Sequence, residues 1–275
     1  MRVLSLFDGM SCGQIALNRI GRPPTSYFAS EIDPYAVKIT QKNYPKTVQL
    51  GDVRGVQYLR GADLLLGGSP CQGFSFAGKR LNFDDPRSRL FFEYVRVLEL
   101  TKPRYFLLEN VMMKQEYQDI ITEALGVEPI VINSALVSAQ NRKRLYWTNI
   151  PVEQPEDKGI LLRDVVFHYG NALSEKALAY MDREVRDGRT HWDFNHHSDV
   201  RNSKSSAVVA NWYKGVPYNV LKDWDYIRYF YPTEAEALQT VPYEYTSGVS
   251  KTQRFRMLGN GWTVDVIAHI LKGME

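Results

Sequence analysis

Cysteine is scarce in this chain: Cys12 and Cys71 are the only two in 275 residues. Two thiols this far apart provide neither a disulfide framework nor zinc-ligand spacing, so a reducing compartment and no metal site are expected. Long apolar runs are also missing. The opening MRVLSLFDGM carries one arginine, and its apolar run stops at Asp8. That is too short for a secretion signal or a membrane span. The first strand is expected to begin at residue 2 with no targeting extension ahead of it, in a cytoplasmic protein without membrane attachment. No internal repeat or low-complexity tract occurs. Net charge is slight, +3, which neither requires nor excludes nucleic acid. Its distribution says more. Lys79, Arg80, Arg87 and Arg89 form one basic cluster, Arg142, Lys143 and Arg144 a second, and Lys251, Arg254 and Arg256 a third. Each alone reads as a solvated face; three on a balanced chain suggest a phosphate-binding track.

What is present is an alternation. Short β-rich apolar runs at Val3–Phe7, Tyr27–Glu31, Ala62–Leu66, Tyr105–Leu108, Pro129–Asn133 and Leu145–Asn149 are separated by helical candidates at Gly13–Ile20, Pro34–Tyr44, Arg89–Leu100 and Tyr117–Leu125. Such alternation predicts βαβ units and a parallel sheet covered on both faces, an α/β fold. The rhythm stops at Pro151. Four of the five histidines follow, at 168, 191, 196 and 197, among Asn, Ser, Tyr and Trp. One helix is expected there, at Ser174–Asp187. Order resumes near Arg228, with helices expected at Thr233–Gln239 and Thr263–Lys272. The domains are therefore expected at 1–150, 151–227 as a small insert, and 228–275 as a return to the first.

The candidate site residues fall at strand ends. In GGSPCQGFS, Cys71 follows a strand that ends in Gly-Gly, on the edge where open α/β sheets bind ligands. A free thiol there is either a small buried hydrophobe or a nucleophile, and its pKa of about 8.5 makes it weak without help. Phe7-Asp8-Gly9-Met10-Ser11-Cys12-Gly13 joins a strand to a helix, with glycines that let backbone approach a ligand. Glu31 ends the next strand about twenty residues on, a place suited to ribose hydroxyls. Asp52 is expected to end the third strand and could accept from an exocyclic amine. Helix caps or turns explain each acid alone; together they point to an adenosine-bearing ligand. Glu109 follows the apolar run before it, and desolvation there would raise its pKa and suit it to donate a proton, unless it simply caps a helix. Arg142 and Arg144 are expected on one strand, and alternation would point both the same way, toward an anionic or carbonyl-rich target.

These segments, FDGMSCG, the acid of SEID, GDV, GGSPCQGFS, LLENV, QNRKRLYW, RYFYPTEAEALQTVP and LGNGWTV, occur together and in order. The chain so resembles the DNA cytosine-5 methyltransferases over nearly its whole length. Its compactness is similar to bacterial or phage members; the Arg89–Glu93 stretch, the short variable region and Trp262 are similar to the vertebrate de novo branch.

The resemblance implies a Rossmann-like class I S-adenosylmethionine-dependent methyltransferase sheet with an inserted target-recognition domain, acting on double-stranded DNA in a bacterial or phage-host cytoplasm. It makes Cys71 the nucleophile toward carbon 6 of a flipped-out cytosine, Glu109 the partner of ring nitrogen 3 and the amine, Arg144 the partner of the ring carbonyl, and Arg142 its buttress. It implies cofactor contacts from Phe7, Asp8, Gly9, Met10, Ser11, Cys12, Gly13, Glu31, Ile32, Asp52, Val53, Asn260, Gly261 and Trp262, and no metal. Gln72, Ser75, Lys79 and Arg80 would meet DNA from a lid after Cys71, which is needed because a base inside a duplex is out of reach. Arg201, Asn202, Lys204, Asn211 and Lys251 are the base-contact candidates. A weak homodimer that DNA strengthens is also expected, because Arg254 matches an interface arginine of the de novo branch, although the acid expected just upstream of it is not evident. Two relatives of the family offer other readings. The RNA-acting branch carries a Cys-Phe-Thr in its recognition region, and here no cysteine follows Cys71. An inactive regulatory subunit would have lost the cysteine, the Glu or a cofactor turn.

Overall fold

A computed structural model describes residues 1–57, 61–70, 89–167, 170–187, 198–201, 203–215 and 219–275. In chain order the elements are β1 (Arg2–Leu6), α1 (Cys12–Arg19), β2 (Ser26–Ser30), α2 (Pro34–Asn43), β3 (Val48–Gln49), β4 (Leu64–Gly67), α3 (Arg89–Thr101), β5 (Tyr105–Val111), α4 (Gln115–Leu125), β6 (Ile130–Asn133), β7 (Gln140–Asn141), β8 (Lys143–Thr148), α5 (Glu175–Arg186), β9 (Ser205–Ser206), β10 (Leu221–Asp223), β11 (Tyr226–Arg228), α6 (Pro232–Leu238), α7 (Lys251–Asn260) and α8 (Val264–Leu271). The chain divides into two compact units. The first comprises Met1–Asn133, Lys143–Gln154 and Val266–Glu275; the second comprises Ser134–Arg142 and Pro155–Asp265. Its division leaves α6 and α7 with the second unit, whereas the sequence reading returned them to the first.

The first unit is built on a seven-stranded sheet of order β3-β2-β1-β4-β5-β8-β6. The expected strands and helices form within a few residues of their predicted bounds. The expectation of an all-parallel sheet is corrected at one strand: β8 runs antiparallel to both β5 and β6. A short return from β6 allows this, because antiparallel neighbours need no long crossover. Period-two alternation puts Leu4, Leu6, Leu65, Phe106, Leu108, Leu145 and Trp147 on one face, where they form a core with Phe91, Tyr94 and Val97 of α3 and Tyr117 and Ile121 of α4. Tyr94 lies so close to the end of β4 that a Cβ on Gly67 would stand 2.6 Å from its ring. Helix starts follow their caps. Asp33 accepts the N–H groups of Tyr35 (2.8 Å) and Ala36 (3.4 Å), with Pro34 at the first helical position of α2.

Among its described residues the second unit has two two-stranded sheets, β10-β11 and β7-β9, and the helices α5 to α7. Leu173, Met181 and Val220 form a small core. A second packing centre holds Trp212, stacked on Phe230 with ring centroids 4.8 Å apart and tilted against Phe255 at 6.3 Å. Helix α7 was not expected from the sequence. Its backbone passes so near the 3-10 turn Ala210–Lys214 that a Cβ on Gly259 would lie 2.0 Å from the Ala210 nitrogen.

Candidate active site

Strand register aligns the candidate residues of the first unit. Leu6 pairs with Ser30 and with Gly67, and Gly67 pairs with Leu108. The next residue of each strand is Phe7, Glu31, Gly68 and Glu109. The residues singled out along the sequence thus stand in one row at the C-terminal edge of the sheet, the ligand-binding edge of open α/β folds.

At β1 the chain turns sharply. Phe7, Gly9 and Ser11 take φ of 56°, 58° and 62°, a region that costs non-glycine residues strain. Local polar contacts hold the turn. Buried Asp8 accepts from the Tyr27 hydroxyl (2.7 Å) and from the Ser11 hydroxyl. Burial pushes its carboxyl up to about 6, against the opposing pull of the Ser11, Ser5 and Tyr27 hydroxyls. Glu31 accepts the Gly9 N–H on Oε2 (2.8 Å) and the Ile32 and Asp33 N–H groups on Oε1 (2.7 and 2.8 Å). These donors leave Oε2 a lone pair for a further hydroxyl. Ile32 beside it is 73% exposed, a bare apolar side chain at the sheet edge. Met10 and Cys12 are buried. Asp52 lies beyond the end of β3 rather than on it. It accepts the Arg54 N–H (2.9 Å) as the cap of the 3-10 turn Val53–Gly55 and pairs with the Arg54 guanidinium. That hydrogen bonding draws its carboxyl down to about 2. Its cap role is the turn role weighed above.

Glu109 and Arg144 meet across β5 and β8. Glu109 is paired with Tyr146 and Val111 with Arg144, so Glu109 and Arg144 are diagonal neighbours on one face. Arg144 Nε lies 3.1 Å from Glu109 Oε1, with both side chains largely buried. Nε is within ion-pair reach but makes no directed hydrogen bond. Asn110, next in β5, was missed by sequence reasoning. Its Nδ2 donates to Ser69 Oγ (3.3 Å), which ties β5 to the segment two residues ahead of Cys71. Cys71, Gln72, Ser75, Lys79, Arg80 and Asn202 lie outside the described residues.

Arg142 departs from expectation. The chain leaves β7 and enters β8 at this residue, which belongs to neither strand and to the second unit. The two arginines therefore do not share one strand. Its buried guanidinium donates to the carbonyls of Val208 (2.7 Å), Gly259 (3.2 Å) and Gly261 (2.8 Å). Those last two bracket Asn260, which is exposed; Trp262 is buried.

Among the base-contact candidates, Lys204 is corrected. Its ammonium donates to the carbonyls of Ala135 (2.7 Å), Ser138 (3.1 Å) and Ile160 (2.6 Å), which takes up all three of its N–H groups. Desolvation moves its pKa down. Arg201 donates to the Trp224 carbonyl (2.5 Å) and Asp225 (3.3 Å) at an exposed hairpin. Asn211 is exposed on the 3-10 turn, and Lys251 is exposed at the start of α7 with its ammonium 5.8 Å from the ring centres of Tyr229 and Phe255. Arg254 pairs with two acids of its own chain, Glu236 at 3.0 Å and Glu244 at 3.5 Å. Among the described residues there is no cluster of three or more His, Cys, Asp or Glu fit for a metal, and no helix long and apolar enough to cross a membrane.

The family model for C-5 cytosine-specific DNA methylase matches residues 1–187 and 168–275. The chain belongs to that family. It is 34% identical over 180 residues to the type II methyltransferase M.NlaIV of Neisseria lactamica, covering 57% of this chain and 43% of that one. It is 28% identical over 300 residues to M.NlaX of the same organism, covering 100% and 96%. The matches to M.NlaIV and to the orphan methyltransferase M.SPRI of Bacillus phage SPR span less than half of those proteins, 43% and 38%. Among solved structures, the fold is shared with S. pombe Dnmt2 at 19% identity and a TM-score of 0.74, covering 99% of this chain and 97% of that one. It is shared equally with a prophage-encoded putative DNA modification methyltransferase of E. coli, at 19% and 0.71, covering 99% and 98%.

Proposed function

We propose that this chain transfers a methyl group from S-adenosylmethionine to carbon 5 of cytosine in double-stranded DNA. The observation that carries the reading is the row Phe7, Glu31, Gly68, Glu109 at the sheet edge, with Arg144 beside Glu109 and Gly68–Pro70, which precede Cys71 in the sequence, following β4 at the same edge. The edge suits the cofactor chemically. The turn at Gly9 offers backbone at the start of α1, Glu31 retains acceptor capacity for a ribose hydroxyl, and exposed Ile32 offers an apolar face for a ring. Asp52, Val53 and the Asn260–Trp262 segment complete the proposed cofactor set. S-adenosylmethionine supplies an electrophilic methyl group when bound.

The protein's own groups would then act on the base. Cys71 adds as thiolate to carbon 6, forming a C–S bond, while Glu109 holds nitrogen 3 and supplies its proton. Arg144 hydrogen-bonds the ring carbonyl. Addition makes carbon 5 nucleophilic; after methyl transfer, which leaves S-adenosylhomocysteine, water takes the carbon-5 proton, the 5,6 double bond re-forms, the thiolate is expelled and nitrogen 3 returns its proton to Glu109. The base reaches these groups by leaving the duplex, at a cost of a few kcal/mol. Gln72, Ser75, Lys79 and Arg80 would hold the DNA beside it. Residues 151–227 would supply target recognition, with Arg201, Asn202 and Asn211 as contact candidates, and Lys251 would be a further one beyond that stretch. Bisulfite conversion sequencing of DNA and tRNA from cells expressing the chain tests the reading. Methylated cytosine in DNA in a fixed sequence context is expected; methylation confined to tRNA would move the chain to the RNA-acting reading.

A further inference from the structure

Gln140 and Arg142 bracket an exposed Asn141, and both are buried. Both belong to the second unit, whereas Arg144 belongs to the first. Together they seize both backbone groups of one residue. The Val208 N–H donates to Gln140 Oε1 (3.1 Å), and Arg142 Nη1 donates to the Val208 carbonyl (2.7 Å). The same two side chains reach the end of α7. Arg142 Nη2 binds the carbonyls of Gly259 and Gly261. Gln140 Nε2 donates to Gln239 Oε1 (2.9 Å), and Gln239 Nε2 in turn donates to the carbonyls of Leu258 (2.6 Å) and Gly261 (3.3 Å). Thr263 Oγ1 also donates to Gln239 Oε1 (2.8 Å). Carbonyls at a helix C-terminus lack intrahelical partners and carry the negative end of the helix dipole, which suits a buried guanidinium.

We propose that Gln140 and Arg142 form a clasp that fixes the Asn260–Trp262 segment and the Val208 backbone to each other, so that Arg142 is a positioning residue for the cofactor and not a group that touches the target base. It rests on the methyltransferase reading above. It follows that Arg142 and Arg144, two residues apart, serve different ligands.

Isothermal titration with S-adenosylhomocysteine and the rate of adduct formation with 5-fluorocytosine DNA at saturating S-adenosylmethionine separate the two roles. Arg142→Lys keeps the charge but not the fork that reaches several carbonyls. It should weaken S-adenosylhomocysteine binding roughly tenfold, while the adduct rate at saturating cofactor stays within about threefold of wild type. Gln140→Ala removes the neutral half of the clasp and should shift binding in the same direction, which keeps the test open if Arg142→Lys does not fold. Arg144→Ala should do the reverse, sparing S-adenosylhomocysteine binding and slowing the adduct. Unchanged binding in both Arg142→Lys and Gln140→Ala, with wild type binding normally, would overturn the clasp alone. Failure of wild type to bind S-adenosylhomocysteine would overturn the methyltransferase reading and the clasp with it.

Discussion

The sheet edge of the first unit and the clasp of the second are both made of buried or half-buried polar side chains, yet they differ in what those side chains still have to give. At the edge, Arg144 Nε faces Glu109 without a directed hydrogen bond, and Glu31 Oε2 retains acceptor capacity. In the clasp, Gln140, Gln239 and Arg142 are directed at backbone and at one another, and Lys204 nearby in sequence to Val208 has all three donors on carbonyls. Buried polar groups that are fully hydrogen-bonded fix structure, whereas those with capacity left over can still bond a further group. Residue type does not separate these cases, since an arginine and its near neighbour in one short segment fall on opposite sides of the divide.

The largest effect that sharpens this contrast is expected at Glu109. Glu109→Gln keeps the shape and removes the acid. Methyl transfer should fall by about 10²-fold or more, the scale of general acid–base contributions, with cofactor affinity unchanged. Single-turnover rates and titration with S-adenosylhomocysteine check this; a comparable loss of cofactor affinity would show that the edge is not divided as described. Next come the proposed adenine and C-terminal cofactor contacts. Asp52→Ala and Trp262→Ala should each raise the apparent cofactor KM by about tenfold while changing DNA affinity less; an unchanged KM in both would remove them from the cofactor set.

In the second unit the expected effects are on stability. Gly259→Ala forces a Cβ to within 2.0 Å of the Ala210 backbone nitrogen. Backbone cannot swing aside as a side chain can, so a loss of about 1–3 kcal/mol is expected, the range of overpacked cores. Denaturant unfolding reads it, and wild-type stability in this variant would contradict the close packing of α7 on the 210–214 turn.

The smallest effect concerns Asp8. Its carboxyl is raised to about 6 in the folded chain, against about 3.9 in an unfolded one. The folded state therefore binds the proton more tightly. Its stabilising contribution is complete below about pH 4 and is lost as pH rises through about 6. Asp8→Asn should flatten the pH dependence of unfolding in that window; an unaltered profile would place the titration elsewhere.

Sequence alone revealed the sheet edge and concealed the clasp, for physical reasons. Strand alternation, glycine turns and acids near strand ends are local patterns: Phe7–Gly13 and Glu31 follow directly on β1 and β2, and Glu109 lies within β5, two residues before its end. The reversal of β8 is not local, because a hydrophobic run does not encode strand direction. Gln140 and Arg142 are held by Val208, Gln239 and Gly259, far along the chain, and no periodicity announces such contacts. Lys204 reads as a solvent-facing cation until the three carbonyls around it are known. Helix α7 was hidden by a glycine at its end and few apolar residues, although Ser250 caps it by accepting the Gln253 N–H.

The most direct test is covalent trapping on DNA carrying 5-fluorocytosine, where the fluorine cannot leave carbon 5 as a proton does. With S-adenosylmethionine present, wild-type protein should form an adduct that survives denaturing electrophoresis and has the mass of protein plus methylated DNA. Cys71→Ser should form none while still binding S-adenosylhomocysteine. An active wild-type enzyme that leaves no adduct, or a Cys71→Ser variant that still traps DNA, would contradict the assignment of Cys71 and with it the proposed chemistry of the sheet edge.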